Sequence, residues 1–145
     1  MREITAEEVW KLEECLQKLS DYHNKVSVNF KGAYPSRPYE TTLQLFVQAL
    51  TKQTSKIAVI EENQRIVGFC KIDLLERNGK LDYLIVLDEY RGKGYGGLLM
   101  EWTMKKFNEF HIKHIEIKVI DGNKAIHLYE KYGFKISAHI LVKEQ

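Results

Sequence analysis

Four glycines fall within six residues, Gly92, Gly94, Gly96 and Gly97, and no other stretch limits the fold of this chain so tightly. An apolar run from Leu81 to Leu87 leads into them, and a helix-forming segment from Tyr95 to Phe110 leads out. Glycine has no Cβ and tolerates positive φ, so such a run lets the backbone curl and approach a ligand closely. The first N–H groups of the following helix have no partner inside the helix and face outward, which suits an anion. Arg91 and Lys93 add positive charge beside them. A strand, a glycine turn and a helix in this order point to a phosphate-bearing ligand.

Two such ligands fit poorly. A nucleoside-triphosphate loop ends in Gly-Lys-Ser/Thr, so that the hydroxyl holds magnesium, whereas Lys93 is followed by Gly94. The dinucleotide fingerprint is literally present as Gly92, Gly94 and Gly97. In that fold the first glycine follows the strand almost directly, but here Asp88, Glu89, Tyr90 and Arg91 intervene after Leu87. The chain is also short for a dinucleotide domain plus a substrate domain.

At 145 residues the sequence is that of one domain, residues 1–145, with the apolar and charged balance of an ordinary globular protein. A formal net charge of +2 gives no reason to expect nucleic acid or an anionic membrane as a partner. Cys15 and Cys70 are far apart, in no metal spacing, and read as reduced apolar fillers. No apolar stretch reaches the ~20 residues that cross a bilayer. The acidic, amphipathic N-terminus is unlike a signal peptide, so the expected location is cytoplasmic.

Along the chain, Thr5-Ala6-Glu7-Glu8 reads as a capping box. Val9, Leu12, Leu16 and Leu19 then recur at helical spacing, which predicts a helix over residues 5–20. From Asp21 to Pro38 the pattern breaks into an aromatic-rich segment, read either as a loop packed on the core or as a wall of a substrate pocket. A second helix is predicted over Thr41–Lys52, with Leu43, Phe46, Val47 and Leu50 on one side. Three strands follow, Ile57–Ile60, Ile66–Ile72 and Leu81–Leu87, with Asn78-Gly79 as the expected hairpin turn. After the glycine turn, Leu98, Leu99 and Trp102 are the expected buried side of the helix. Ile115, Ile117 and Val119 alternate as a half-buried strand. A helix over residues 124–132 stops at Gly133, and Phe134, Ile136, Ala138, Ile140 and Val142 alternate as a final strand.

Arg91-Gly92-Lys93-Gly94-Tyr95-Gly96 resembles the R/Q-x-x-G-x-G signature of the GNAT superfamily of acetyl-CoA-dependent N-acyltransferases. A second block, Asn123 to Phe134, is similar to that superfamily's N-x-x-A-x-x-x-Y-x-x-x-G-F motif. Together the blocks cover about residues 81–136, and one departure is Asp88, where many relatives have proline. The resemblance implies an α/β fold with a mixed, mostly antiparallel central sheet flanked by helices. The element order α-α-β-β-β-α-β-α-β agrees with it on separate grounds.

The same resemblance implies transfer of an acetyl group from acetyl-CoA to an amine, with no metal. The cosubstrate's diphosphate would meet the backbone of Arg91, Gly92, Lys93, Gly94, Tyr95, Gly96 and Gly97. Its peptide-like arm would lie along Ile85, Val86 and Leu87, with Asn123 as a further contact. An N–H from Val86 or its neighbour would stabilise the oxyanion. Tyr129 stands where relatives donate a proton to the sulfur, against the alternative of simple packing with Leu128 and Phe134. Asp82 is the first candidate base. Asp73 and Glu76 are rivals, His114 and His127 weaker ones, and solvent alone is a further option. Alternation along the strand predicts that Asp82 shares a face with Leu84 and Val86. The acceptor is a small-molecule or peptide amine, and a homodimer is an expectation of the family only. A non-catalytic acyl-CoA-binding domain of the same fold is the competing reading.

Overall fold

The computed structural model describes residues 1–145. Its order is β1 (Arg2–Glu3), a 3-10 segment (Ala6–Leu12), α1 (Glu13–Val26), α2 (Tyr39–Thr51), β2 (Ser55–Glu62), β3 (Arg65–Leu75) and β4 (Asn78–Val86). A short 3-10 turn (Asp88–Tyr90), α3 (Tyr95–Glu109), β5 (His114–Ile117) and α4 (Ile126–Lys131) complete it. The five strands lie in the order β1-β2-β3-β4-β5. The first three pairings are antiparallel and β4–β5 is parallel. The fold is therefore the mixed, mostly antiparallel sheet flanked by helices that the sequence predicts. No helix is long and apolar enough to cross a membrane.

The sheet divides the core in two. On one face Cys70 of β3 meets α3, where the Thr103 hydroxyl donates to its sulfur at 3.6 Å. On the other, Phe69 and Tyr83 pack against Phe46 of α2, with ring centroids 6.4 and 5.1 Å away. Phe46, Phe69 and Phe107 are all fully buried, each worth roughly 1.5–3 kcal/mol of transfer free energy. Cys15 and Cys70 are buried and unbridged, and burial pushes both thiols up to about 12.

Several local expectations change. The first helix starts as a 3-10 segment and runs on to Val26, and the Thr5 side chain makes no capping bond. Val9, Leu12 and Leu16 are buried as predicted. On α2, Thr42 and Phe46 are buried and Leu43 and Leu50 pack partly buried against the core as expected, whereas Val47 is 37% exposed. The buried side of α3 is Leu99, Met100, Thr103 and Phe107, while Leu98 faces solvent. The final strand does not form: residues 134–145 carry no regular structure, and Ile136, Ile140, Leu141 and Val142 are exposed. Alternation supplies a strand's pattern but not its partner, and no pairing to the outer edge of β5 exists here.

The β3–β4 hairpin turns at Glu76-Arg77, with Leu75 paired to Asn78, so Asn78 and Gly79 are the first residues of β4. Gly79 is needed for packing rather than turning. A Cβ there would lie 2.6 Å from Cε1 of Phe107 and 3.0 Å from Ile112. The absent side chain lets α3 sit close to the sheet. We expect Gly79→Ala to destabilise the fold by about 1–3 kcal/mol in a urea denaturation, with part recovered by adding Phe107→Leu.

Candidate functional site

β4 and β5 pair over only four positions, Asn78–His114 to Leu81–Ile117, and then part. β4 continues to Val86 with β3 on one side and no strand on the other. The parting coincides with a β-bulge. Lys71 pairs with Tyr83 and Ile72 with Leu81, which leaves Asp82 as an extra, unpaired residue. A bulge bends its strand and increases the local twist, turning the rest of β4 away from β5.

The bulge overturns the expected placement of Asp82. Leu84 and Val86 stand opposite Cys70 and Gly68, on the α3 face. Asp82 instead binds Lys71, which faces α2 beside the Phe46 ring. Asp82 thus shares a face with Tyr83, not with Leu84 and Val86. Its carboxylate is 2.7 Å from the Lys71 ammonium and 3.6 Å from that of Lys80. Lys71 is 5% exposed and also meets Asp73 at 2.6 Å, which in turn accepts from the Ser55 hydroxyl. Two ammonium groups thus already attend the Asp82 carboxylate. Glu76 lies at the far end of β4, about 25 Å along the strand from Val86. His114 and His127 are exposed and sit beside Glu116 and Glu130.

At the C-terminal end of the open edge, Leu87 N–H donates back to Val67 C=O at 2.9 Å. By alternation of the ladder, the N–H and C=O of Val86 point to the vacant side. Ile85, Val86 and Leu87 are themselves buried. Opposite Val86 sits Gly68, where a Cβ would lie 2.9 Å from Ile85 C=O. An isolated glycine inside a strand signals such close approach, so Gly68 was readable from sequence. Beyond the strand, Gly92 and Gly94 take φ of +83° and +84°, and α3 starts at Tyr95. The N–H groups from Gly92 to Gly97 make no backbone bond outside the helix, and at the first turn none is available inside it. The amides of the glycine turn are therefore free to bind an anion beside the open edge.

The side chains of the turn are busier than the sequence suggests. Arg91 donates through Nε to Val86 C=O at 3.0 Å, pairs with Asp88 at 3.0 Å and lies 4.8 Å over the Tyr22 ring. Tyr95 donates its hydroxyl to Glu62, which also draws Lys93 to 3.9 Å. Gly96 faces Leu128 of α4, and Gly97 has open space around it.

In the turn before α4, Asn123 accepts through Oδ1 from Ala125 N–H at 2.9 Å, and its amide nitrogen makes no bond. Tyr129 is 7% exposed and packs edge-on against Phe134. Its hydroxyl has no protein partner, yet no buried side-chain oxygen or nitrogen of the chain is left unpaired, so the hydroxyl opens to solvent. Burial pushes the phenol up to about 12, with a smaller push from nearby Cys70.

One anchor gave no signal in the sequence. Asp121 accepts from the Ser27 hydroxyl at 2.8 Å and from the Val28 and Asn29 amides at 2.8 and 3.0 Å. These bonds hold its carboxyl below the usual aspartate value. Gly122 beside it, at φ +81°, comes so close to Val26 C=O that a Cβ would lie 2.1 Å away. The loop after β5 is thereby fastened to the end of α1. The segment after α1 is folded back further by Asn24, whose side chain bonds the backbone of Gly32 and Tyr34. The aromatic segment is thus an ordered loop against the α4 turn.

Two outcomes follow. Lys71→Met should cost about 2 kcal/mol in urea denaturation, because it strands two carboxylates that keep only a fifth of their surface in water. Adding Asp73→Asn should restore part of that loss. For Tyr129, the folded phenol titrates above the unfolded value of 10.0, so its stabilising effect is complete below pH 10.0 and disappears as pH rises towards about 12. The ultraviolet phenolate titration of the wild type minus that of Tyr129→Phe should show a group ionising near 12.

The model of the acetyltransferase (GNAT) domain matches residues 53–136. An N-alpha-acetyltransferase of Sulfurisphaera tokodaii is 25% identical over 132 residues, covering 81% of this chain and 77% of that protein. A spermidine N(1)-acetyltransferase of Vibrio cholerae is 24% identical over 132 residues, covering 87% and 75%. Among solved structures, the PaiA N-acetyltransferase of Thermoplasma acidophilum in complex with coenzyme A has the same fold. Its TM-score is 0.77 at 17% identity, with 94% of this chain and 89% of that one covered. The matched domain takes in more than half of the chain, including the glycine turn, the open edge of β4 and the Asn123–Phe134 block; the chain belongs to the GNAT acetyltransferase family.

Proposed function

We propose that the protein is an acetyl-CoA-dependent N-acetyltransferase that moves the acetyl group directly to a primary amine. One observation carries this reading: a strand edge with no partner, Asp82 to Val86, ends at a turn of unpartnered amides, Gly92 to Gly97. The pantetheine arm is built like a peptide, and an open edge offers it main-chain bonds. The diphosphate is an anion, and the start of α3 offers it N–H donors. Ile85, Val86 and Leu87 would line the arm, and Asn123 has a free amide nitrogen to give it. Such a ligand would run from the glycine turn into the open edge, with its thioester beside Val86.

In the reaction, the neutral amine attacks the thioester carbonyl carbon. A C–N bond forms, and negative charge gathers on the carbonyl oxygen. The Val86 N–H, aimed at the vacant side, is the donor placed to receive it, a contribution of ~3 kcal/mol when fully formed. The intermediate then breaks its C–S bond, and the thiolate takes a proton from Tyr129. The phenol is protonated at neutral pH and so has a proton to give, and the phenolate then takes one back from solvent. Asp82, already paired with Lys71, is assigned to shaping the strand, and the amine's proton leaves to solvent.

The relatives bound the search for the acceptor: one is named for α-amino groups and another for spermidine. Purified protein should therefore release free thiol from acetyl-CoA with a member of a panel of peptide N-termini and polyamines. Tyr129→Phe should lower kcat by about a hundredfold and leave the Kd for CoA nearly unchanged. Unchanged kcat would remove the proton donor. Tight CoA binding by the wild type without turnover on any amine would favour a non-catalytic acyl-CoA-binding domain.

A further inference from the structure

The motif casts Arg91 as a cation for the diphosphate, but its guanidinium is already committed. Nε donates to Val86 C=O at 3.0 Å. A terminal nitrogen pairs with Asp88 at 3.0 Å, so the local charge is balanced. The flat face rests 4.8 Å over the ring of Tyr22 on α1. The neighbouring Lys93 is the freer cation, with its nearest carboxylate at 3.9 Å.

Val86 needs such a partner. Because Leu87 N–H donates to β3, the N–H and C=O of Val86 both leave on the side where β5 has departed. β3 holds one side of the end of β4, and with no strand on the other nothing in the sheet fixes that side. A bare carbonyl beside the reacting thioester would also repel the developing oxyanion. Arg91 occupies that carbonyl and leaves the Val86 N–H as the polar group facing the gap. The planar guanidinium reaches a carbonyl, a carboxylate and an aromatic face at once, which a lysine ammonium on its flexible stem does not.

Resting on the acyl-transfer reading above, we propose that Arg91 is a positioning residue: it latches the last carbonyl of the open edge to Tyr22 of α1 and so aims the Val86 N–H at the thioester oxygen. Holding the diphosphate then falls to the backbone amides and Lys93. The latch is reached through β4, so its effect on turnover does not depend on the phosphates being present.

The test compares wild type, Arg91→Lys and Tyr22→Leu with two donors. One is acetyl-CoA; the other is S-acetyl-pantetheine, which has the same thioester and arm but no diphosphate. Arg91→Lys should lower kcat by about tenfold or more with both donors, because the oxyanion donor loses its aim. The Kd for CoA, read by calorimetry, should change less than about threefold, because Lys keeps the charge. Tyr22→Leu removes the surface under the guanidinium while keeping Arg91, and should lower kcat in the same way; it also stands in if Arg91→Lys does not fold. A loss seen only with acetyl-CoA and only in KM, or wild-type kcat in Tyr22→Leu, would overturn the proposal. A wild type that turns over neither donor on any amine would instead overturn the acyl-transfer reading on which the latch rests.

Discussion

Everything at the site depends on β4 leaving β5 after four paired positions. Buried backbone N–H and C=O groups are almost always paired, so a strand that loses its neighbour inside a sheet must find another partner. Usually that is water or a second chain, and an open edge is then a liability. Here the edge is short and runs into a curl of glycines. The extra residue at Asp82 is the mechanical cause. It interrupts the β3–β4 register at the position where β5 departs. Lys71 holds the bulge from the α2 face, with Asp73 and Asp82 on its ammonium.

A gap of this kind must also be kept open at a fixed width. The ties that do so are polar and local. Arg91 joins the end of β4 to α1. Asp121 joins the loop after β5 to the C-terminal end of α1. Tyr95 joins the start of α3 to the β2–β3 hairpin through Glu62. Each lies near the surface, where such contacts add little net stability. Their contribution is directional. The stability comes from Phe46, Phe69, Phe107 and the aliphatic residues around them, which the ties orient.

Much of this was legible from residue order. The glycine turn, the apolar run before it, the helix after it and the Asn123–Phe134 block lie within one continuous stretch of chain. Local rules reach such features because glycine conformation, helix starts and alternation are set by near neighbours. The misreadings came where a distant partner decides. Asn78-Gly79 has the composition of a turn, but Gly79 is fixed by Phe107 of α3. Residues 134–142 alternate like a strand, but a strand exists only when another edge receives it. Arg91 reads as a cation in a phosphate motif, and only its neighbours Val86, Asp88 and Tyr22 reveal its other bonds.

The sequence by itself therefore determined the family, the mixed sheet and a curl of amides fit for an anion, because each is written in residues close together in the chain. The tertiary structure alone decided which face Asp82 joins, where the Tyr129 hydroxyl emerges and what Arg91 grips. A single extra residue in a strand reverses the facing of its neighbour, and alternation carries no mark of that insertion. Its position is settled only when β3, β4 and β5 are assembled and the buried Lys71 draws Asp82 to its side of the sheet.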